Sequence, residues 1–182
     1  LTWNYRNCVA TGVRESSFGG GLTEFGKTAV KEMEKLGIII DVSHLSDEGF
    51  FDVAERTEKP FVASHSNCRA LCLSPRNLTD DQLRIIGQKG GIVGLNLYPP
   101  FLSDTNASIS DVMKHTEHML NVCGEDCISI GCDFDGISET PAGLEDVACI
   151  QNLIELMEQN FGTEIAQKIA YKNYLRVLKA IM

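Results

Sequence analysis

Short runs of β-branched residues alternate along the chain with amphipathic stretches, and glycines or polar residues separate them. Thr23 to Leu36 reads as a helix: Phe25, Ala29, Val30, Met33 and Leu36 recur at helical spacing, and Thr23 with a following acid resembles an N-cap. Gly37 closes it where a left-handed residue is wanted. The run Ile38-Ile39-Ile40-Asp41-Val42 then predicts a strand buried on both faces. A helix opening at Ser46 and ending near Lys59-Pro60 turns Phe50, Val53 and Ala54 inward, and Phe61-Val62-Ala63 is a second strand. The next helix begins at Thr79, with Leu83, Ile86 and Gly87 on one side, and Gly91 to Leu97 is a third strand that Pro99-Pro100 stops. Ser110 to Cys123 is helical, Ile128 to Gly131 is a fourth strand, and helices at about 147–160 and 163–181 finish the chain. Leu1-Thr2 reads as the stub of a fifth strand.

Repeated β-then-α units imply a parallel sheet with helices outside it, either an open doubly wound sheet or a barrel. No GxGxxG or P-loop sequence favours a nucleotide-binding open sheet. With no internal repeat or linker, the 182 residues read as one domain or a piece of one. The net charge of −9 argues against a nucleic-acid partner, whose phosphates demand a basic face. No apolar run approaches the roughly 20 residues that cross a bilayer, and no signal-peptide pattern opens the chain. It opens instead at Leu1 without an initiator methionine, so a cut or boundary is expected there. The seven cysteines are odd in number and lack the C-x₂-C spacing of a structural zinc knuckle. They read as small buried hydrophobes in a reducing compartment, which points to the cytoplasm.

In parallel α/β folds the active face is built from residues just past the carboxyl ends of the strands. Those positions hold Asp41-Val42-Ser43-His44, Ser64-His65-Ser66, Asn96-Leu97-Tyr98 and Cys132-Asp133-Phe134-Asp135-Gly136. Two of the four histidines, His44 and His65, thus fall at successive strand ends, where imidazoles could share one metal. Asp133 could bind metal or move a proton, whereas Asp135 could simply shape the turn before Gly136. Asp41 is expected to be buried and hydrogen-bonded beside His44. His115 and His118, three apart on a helix, read as solvated surface.

The segments GLTEFGKTAVKEMEKLGIIIDVSHLSDEGFFDV, PFVASHSNCRALCLSPRNLTDDQLRIIGQKGGIVGLNLYPPFL and ISIGCDFDG resemble the renal (membrane) dipeptidase family. The likeness runs the length of the chain and rests on the ordered motifs DVSH, SHS, SPRN and G-x-DFDG. It implies an amidohydrolase-like (β/α)₈ TIM barrel, of which residues 1–182 are the carboxyl-terminal portion, about four to five strands with outer helices. It also implies a zinc metallopeptidase that cleaves dipeptides, with a D-residue accepted at the carboxyl-terminal position. His44 and His65 would bind the more exposed zinc of a binuclear pair, and Asp133 would act as acid and base. Arg76 would hold the dipeptide carboxylate, and Asn96 and Phe101 would line the substrate pocket.

The family's His-x-Asp pair and bridging glutamate belong to an amino-terminal half outside this chain, and no His-x-Asp occurs here. Trp3 stands where the renal enzyme has a substrate-facing histidine. The resemblance therefore implies two zincs in a complete site and one or fewer on these residues. It also implies completion by a missing half or by a homo-oligomer. Rival readings are a non-catalytic truncated paralogue serving as an interaction subunit, and an amidohydrolase-like hydrolase of another substrate.

Overall fold

The computed structural model describes residues 1–182. Three parallel strands form the sheet in the order β1 (Val62–Ala63), β2 (Ile92–Leu95) and β3 (Ile128–Ile130). Val62 pairs with Ile92, and Val93 with Ile128. Every residue of β2 is buried, which explains its unbroken apolar run. Helices alternate with the strands: α1 (Glu24–Lys35), α2 (Asp47–Arg56), α3 (Asp80–Gln88), α4 (Ile109–Cys123), α5 (Ile150–Phe161), α6 (Thr163–Gln167) and α7 (Asn173–Ile181).

Local chemistry sets the helix starts. Thr23, Ser46 and Thr79 each accept a hydrogen bond from a backbone N–H in the first turn, and Gln82 completes a capping box with Thr79. Gly37, at φ 70°, adopts the left-handed conformation that ends α1. Two stretches depart from their patterns. Ile38–Val42 is not a regular strand but runs beside β1, joined by one parallel bridge at Asp41 and by hydrogen bonds between Val62 and both Ile40 and Val42. Leu1-Thr2 forms no strand either: the Leu1 amino group donates to the Asp41 carbonyl at 3.2 Å. The predicted 163–181 helix is one path interrupted by a π turn at Lys168–Lys172.

Burial also corrects the α1 stripe. Val30 and Gly26 face the core, but Phe25 and Leu36 are exposed. Among the cysteines, Cys68, Cys72 and Cys127 are buried, Cys8 is exposed and the other three are intermediate, all as free thiols. The main core collects Phe50, Phe61, Leu83, Leu95, Met119 and Leu153 between sheet and helices. Glycine matters most at the strand ends. A Cβ on Gly94 or Gly131 would lie 1.9 Å or 2.0 Å from the Ser64 carbonyl oxygen, so only glycine lets β2 and β3 pass close beneath the residue before His65.

Candidate metal and substrate site

The chain leaves Ile38–Val42 and turns sharply at His44, whose φ is 69°. It leaves β1 at Ser64 and reaches His65, and past β3 it turns again at Asp133, φ 71°. Two non-glycine residues thus hold the left-handed conformation at strand ends, a strain that persists only where surrounding contacts enforce it. A Cβ on Gly136 would come within 2.4 Å of Asp133 Oδ1, which gives the glycine of the DFDG motif its reason.

The two imidazoles are oriented from behind. Asn4 Oδ1 accepts from His44 Nδ1–H at 2.9 Å. Ser64 Oγ gives its single hydrogen to Asp41 Oδ2, so it must accept from His65 Nδ1–H, at 2.7 Å. Asp41 is fixed in turn by the backbone N–H groups of Ser43 and Ser64 at 2.9 Å and 3.1 Å. Its hydrogen bonds therefore serve His65 through Ser64, rather than His44 as its place in the sequence suggested. Both Nδ1 atoms are donors, so both Nε2 atoms present lone pairs, and these lie 2.8 Å apart. Burial first and the Arg76 charge second push His44 down to about 3 and lower His65 as well, so neither ring readily holds a second proton. Two bare lone pairs this close could serve as donors to a metal cation. No third histidine, cysteine, aspartate or glutamate groups with them to hold a metal.

Arg76 lies beside this pair. It is 8% exposed, donates from Nη2 to the His65 carbonyl at 3.1 Å, and stacks its guanidinium 5.4 Å from the Phe101 ring centre. Burial brings its pKa down to about 10, against the opposing pull of Asp133 and Asp41, so it remains cationic near neutrality. Asn96 is fully buried and does not line the cleft. Its Nδ2 donates to Asp133 Oδ2 at 3.0 Å, and its backbone N–H donates to Asn67 Oδ1. Phe101 does line the cleft, packed edge-on against Tyr98 at 4.9 Å.

A cleft of about 540 Å³ brings His44, Arg76, Phe101, Asp133 and Trp3 together. Trp3 is 71% exposed, with its ring 6.4 Å from that of His44. A larger hollow of about 870 Å³ lies against α2 and α3, but its wall holds no histidine or cysteine. The other two histidines correct the sequence reading. His115 is buried, its Nδ1 accepting from Cys68 N–H at 3.1 Å and its Nε2 donating to the Leu102 carbonyl at 3.0 Å. His118 is half-buried and bonds Asp80 at 2.8 Å.

The sequence profile of the membrane dipeptidases, peptidase family M19, matches residues 1–182. The chain belongs to that family. It is 39% identical over 190 residues to an uncharacterized protein in the pqqA 5′ region of Klebsiella pneumoniae, covering 98% of this chain and 70% of that protein. Among solved structures it resembles a metallopeptidase from Rhodobacter sphaeroides liganded with a phosphinate mimic of the dipeptide L-Ala-D-Ala. That match has a TM-score of 0.91 and 32% identity, over 100% of this chain and 54% of the other. It also resembles the M19 metallopeptidase called dipeptidase AC, with a TM-score of 0.83 and 36% identity over 88% of this chain and 48% of that one. The chain thus spans about half the length of the solved relatives it matches. Ser64 and Gly136 stood in the strand-end motifs without a role assigned to them, and nothing in the sequence singled out Asn4, which holds His44. Ser64 had the clearest signal, standing next to a strand-end histidine.

Proposed function

We propose that the chain carries part of the active site of a zinc-dependent dipeptidase built on a (β/α)₈ barrel. The observation that carries this reading is the pair of imidazole Nε2 lone pairs 2.8 Å apart, with each Nδ1 held by a dedicated acceptor. His44 and His65 would hold a zinc ion, which supplies a nucleophile near neutral pH and polarises a carbonyl. Arg76, a buried planar fork on an aromatic ring, would bind the free carboxylate that marks a dipeptide. Asp133 would pass a proton to the leaving amine, with Asn96 fixing one of its oxygens and leaving the other for the proton. Phe101 and Trp3 would wall the cleft around the side chains of the substrate.

A catalytic zinc normally takes about three protein ligands and a water. The remaining donors would therefore come from outside these residues, from an amino-terminal half of the barrel or from a second copy of the chain. The likeness to a protein liganded with an L-Ala-D-Ala mimic supports a D-residue at the carboxyl-terminal position. Seven free thiols support a reducing, cytoplasmic setting. The test is hydrolysis of L-Ala-D-Ala with added Zn²⁺, run beside His65→Ala and, if the chain alone is silent, after joining it to a family-type amino-terminal half. Turnover that depends on His65 is the expected result. Turnover indifferent to His65, or none even in the joined protein, would overturn the proposal and favour a non-catalytic subunit.

A further inference from the structure

A second, small cavity has Arg76 in its wall, together with residues that include His44, Ser66, Arg69, Asn77 and Gln82. About 10 Å³ of it is open to the centre of a water molecule, room for one. Four buried side-chain polar atoms in the chain lack a hydrogen-bond partner: Ser66 Oγ, Arg76 Nε, Asn77 Oδ1 and Arg176 Nε. Three of the four belong to residues that wall this one cavity. The other polar groups there are already engaged. Arg69 makes a two-point contact with Asp47 at 2.7 Å and 2.8 Å, Gln82 donates to Asp47 at 2.9 Å, and His44 donates from Nδ1 to Asn4 while its Nε2 is turned towards His65.

We infer that a single buried water occupies this cavity and bridges Arg76 Nε, Asn77 Oδ1 and Ser66 Oγ. The chemistry selects water over an ion. Asn77 Nδ2 donates to the Cys72 and Phe101 carbonyls, both at 2.9 Å, so its Oδ1 is fixed as a buried acceptor without a protein partner and would repel an anion. The Arg76 charge would repel a cation. A water accepts the Arg76 Nε–H, donates to Asn77 Oδ1, and spends its other hydrogen or lone pair on Ser66 Oγ. Three partners is the usual number for a buried water.

This deepens the proposed function and rests on its reading of Arg76. The guanidinium would be held at Nη2 by the His65 carbonyl, across its face by Phe101 and at Nε by the water, so that it meets a substrate carboxylate already oriented. Ser66 and Asn77 follow His65 and Arg76 directly in the chain, so the bridge also ties the second histidine segment to the arginine segment.

A crystal structure of the protein at a resolution that shows ordered water is the first test. The expected result is a peak within hydrogen-bonding distance of all three atoms, whether or not the protein hydrolyses dipeptides. An empty cavity, or a direct bond from Arg76 Nε to Asn77 Oδ1, would overturn the inference without touching the proposed function. Two variants then test the consequence. Ser66→Val fills the cavity and should abolish the peak and raise KM for dipeptides about tenfold with little change in kcat, the size of one hydrogen bond to a charged group. Ser66→Ala should keep the water on its other two partners and leave KM near the parent value. An unchanged KM in Ser66→Val with the peak gone would show that the water does not position Arg76.

Discussion

The chain contains two pairs of histidines, and the protein treats them in opposite ways. His44 and His65 each spend one nitrogen on a protein acceptor and turn the other towards its counterpart, beside the cleft that His44 lines. His115 spends both nitrogens on backbone groups of distant loops, and His118 bonds a neighbouring carboxylate. The first pair therefore has coordinating capacity to spare, while the second is consumed by structure. What marks a ligand histidine is a lone pair that the fold orients and leaves unused, and burial alone does not supply it.

Mutations should separate the pairs cleanly. The largest effect is expected from His65→Ala, which should lower kcat/KM for a dipeptide by more than ~100-fold, beyond the loss usual for a supporting partner, with the melting midpoint little changed. His115→Leu should do the reverse. It strands the Cys68 N–H and the Leu102 carbonyl in the core, and should cost about 2–4 kcal/mol in urea unfolding while zinc affinity holds.

The same residue gives the comparison a pH signature. Burial lowers the pKa of folded His115, whereas the unfolded side chain takes its proton near 6.5. Below that value the unfolded state binds more protons, so this share of the stability is complete above pH 6.5 and is lost as the pH falls beneath it. Urea midpoints measured on either side of 6.5 should show a shallower acid slope in His115→Leu than in the parent. Ser64→Ala should weaken metal binding by ~10–100-fold by freeing the His65 ring, and the donor that Asp41 loses should cost about 1–2 kcal/mol of stability. The smallest effect belongs to His118→Ala, a half-exposed pair whose loss should cost less than ~1 kcal/mol.

Local rules made much of this molecule legible in its sequence. Thr23, Ser46 and Thr79 announced their helices because capping depends on neighbours within one turn. Buried β-branched runs announced β2 and β3, and the strand-end rule then pointed to His44, His65 and Asp133. What stayed hidden depends on partners remote in sequence. His115 reads as a surface residue on an amphipathic helix until its bonds to Cys68 and Leu102, 47 and 13 positions away, bury it. Asn96 reads as a strand-end residue that lines the pocket, and its hold on Asp133 needs β2 and β3 side by side. Ile38–Val42 carries the composition of a strand but pairs with β1 through a single bridge, which composition cannot foresee.

Whether the converging imidazoles hold a metal can be read from cobalt(II) titration followed by visible absorption, comparing the parent protein with a His44→Ala/His65→Ala double variant. The parent should develop the bands of an imidazole-bound cobalt ion and the double variant should lose them, while His115→Leu keeps them. Identical spectra and affinity in parent and double variant would contradict this, because the converging imidazoles would then hold no metal.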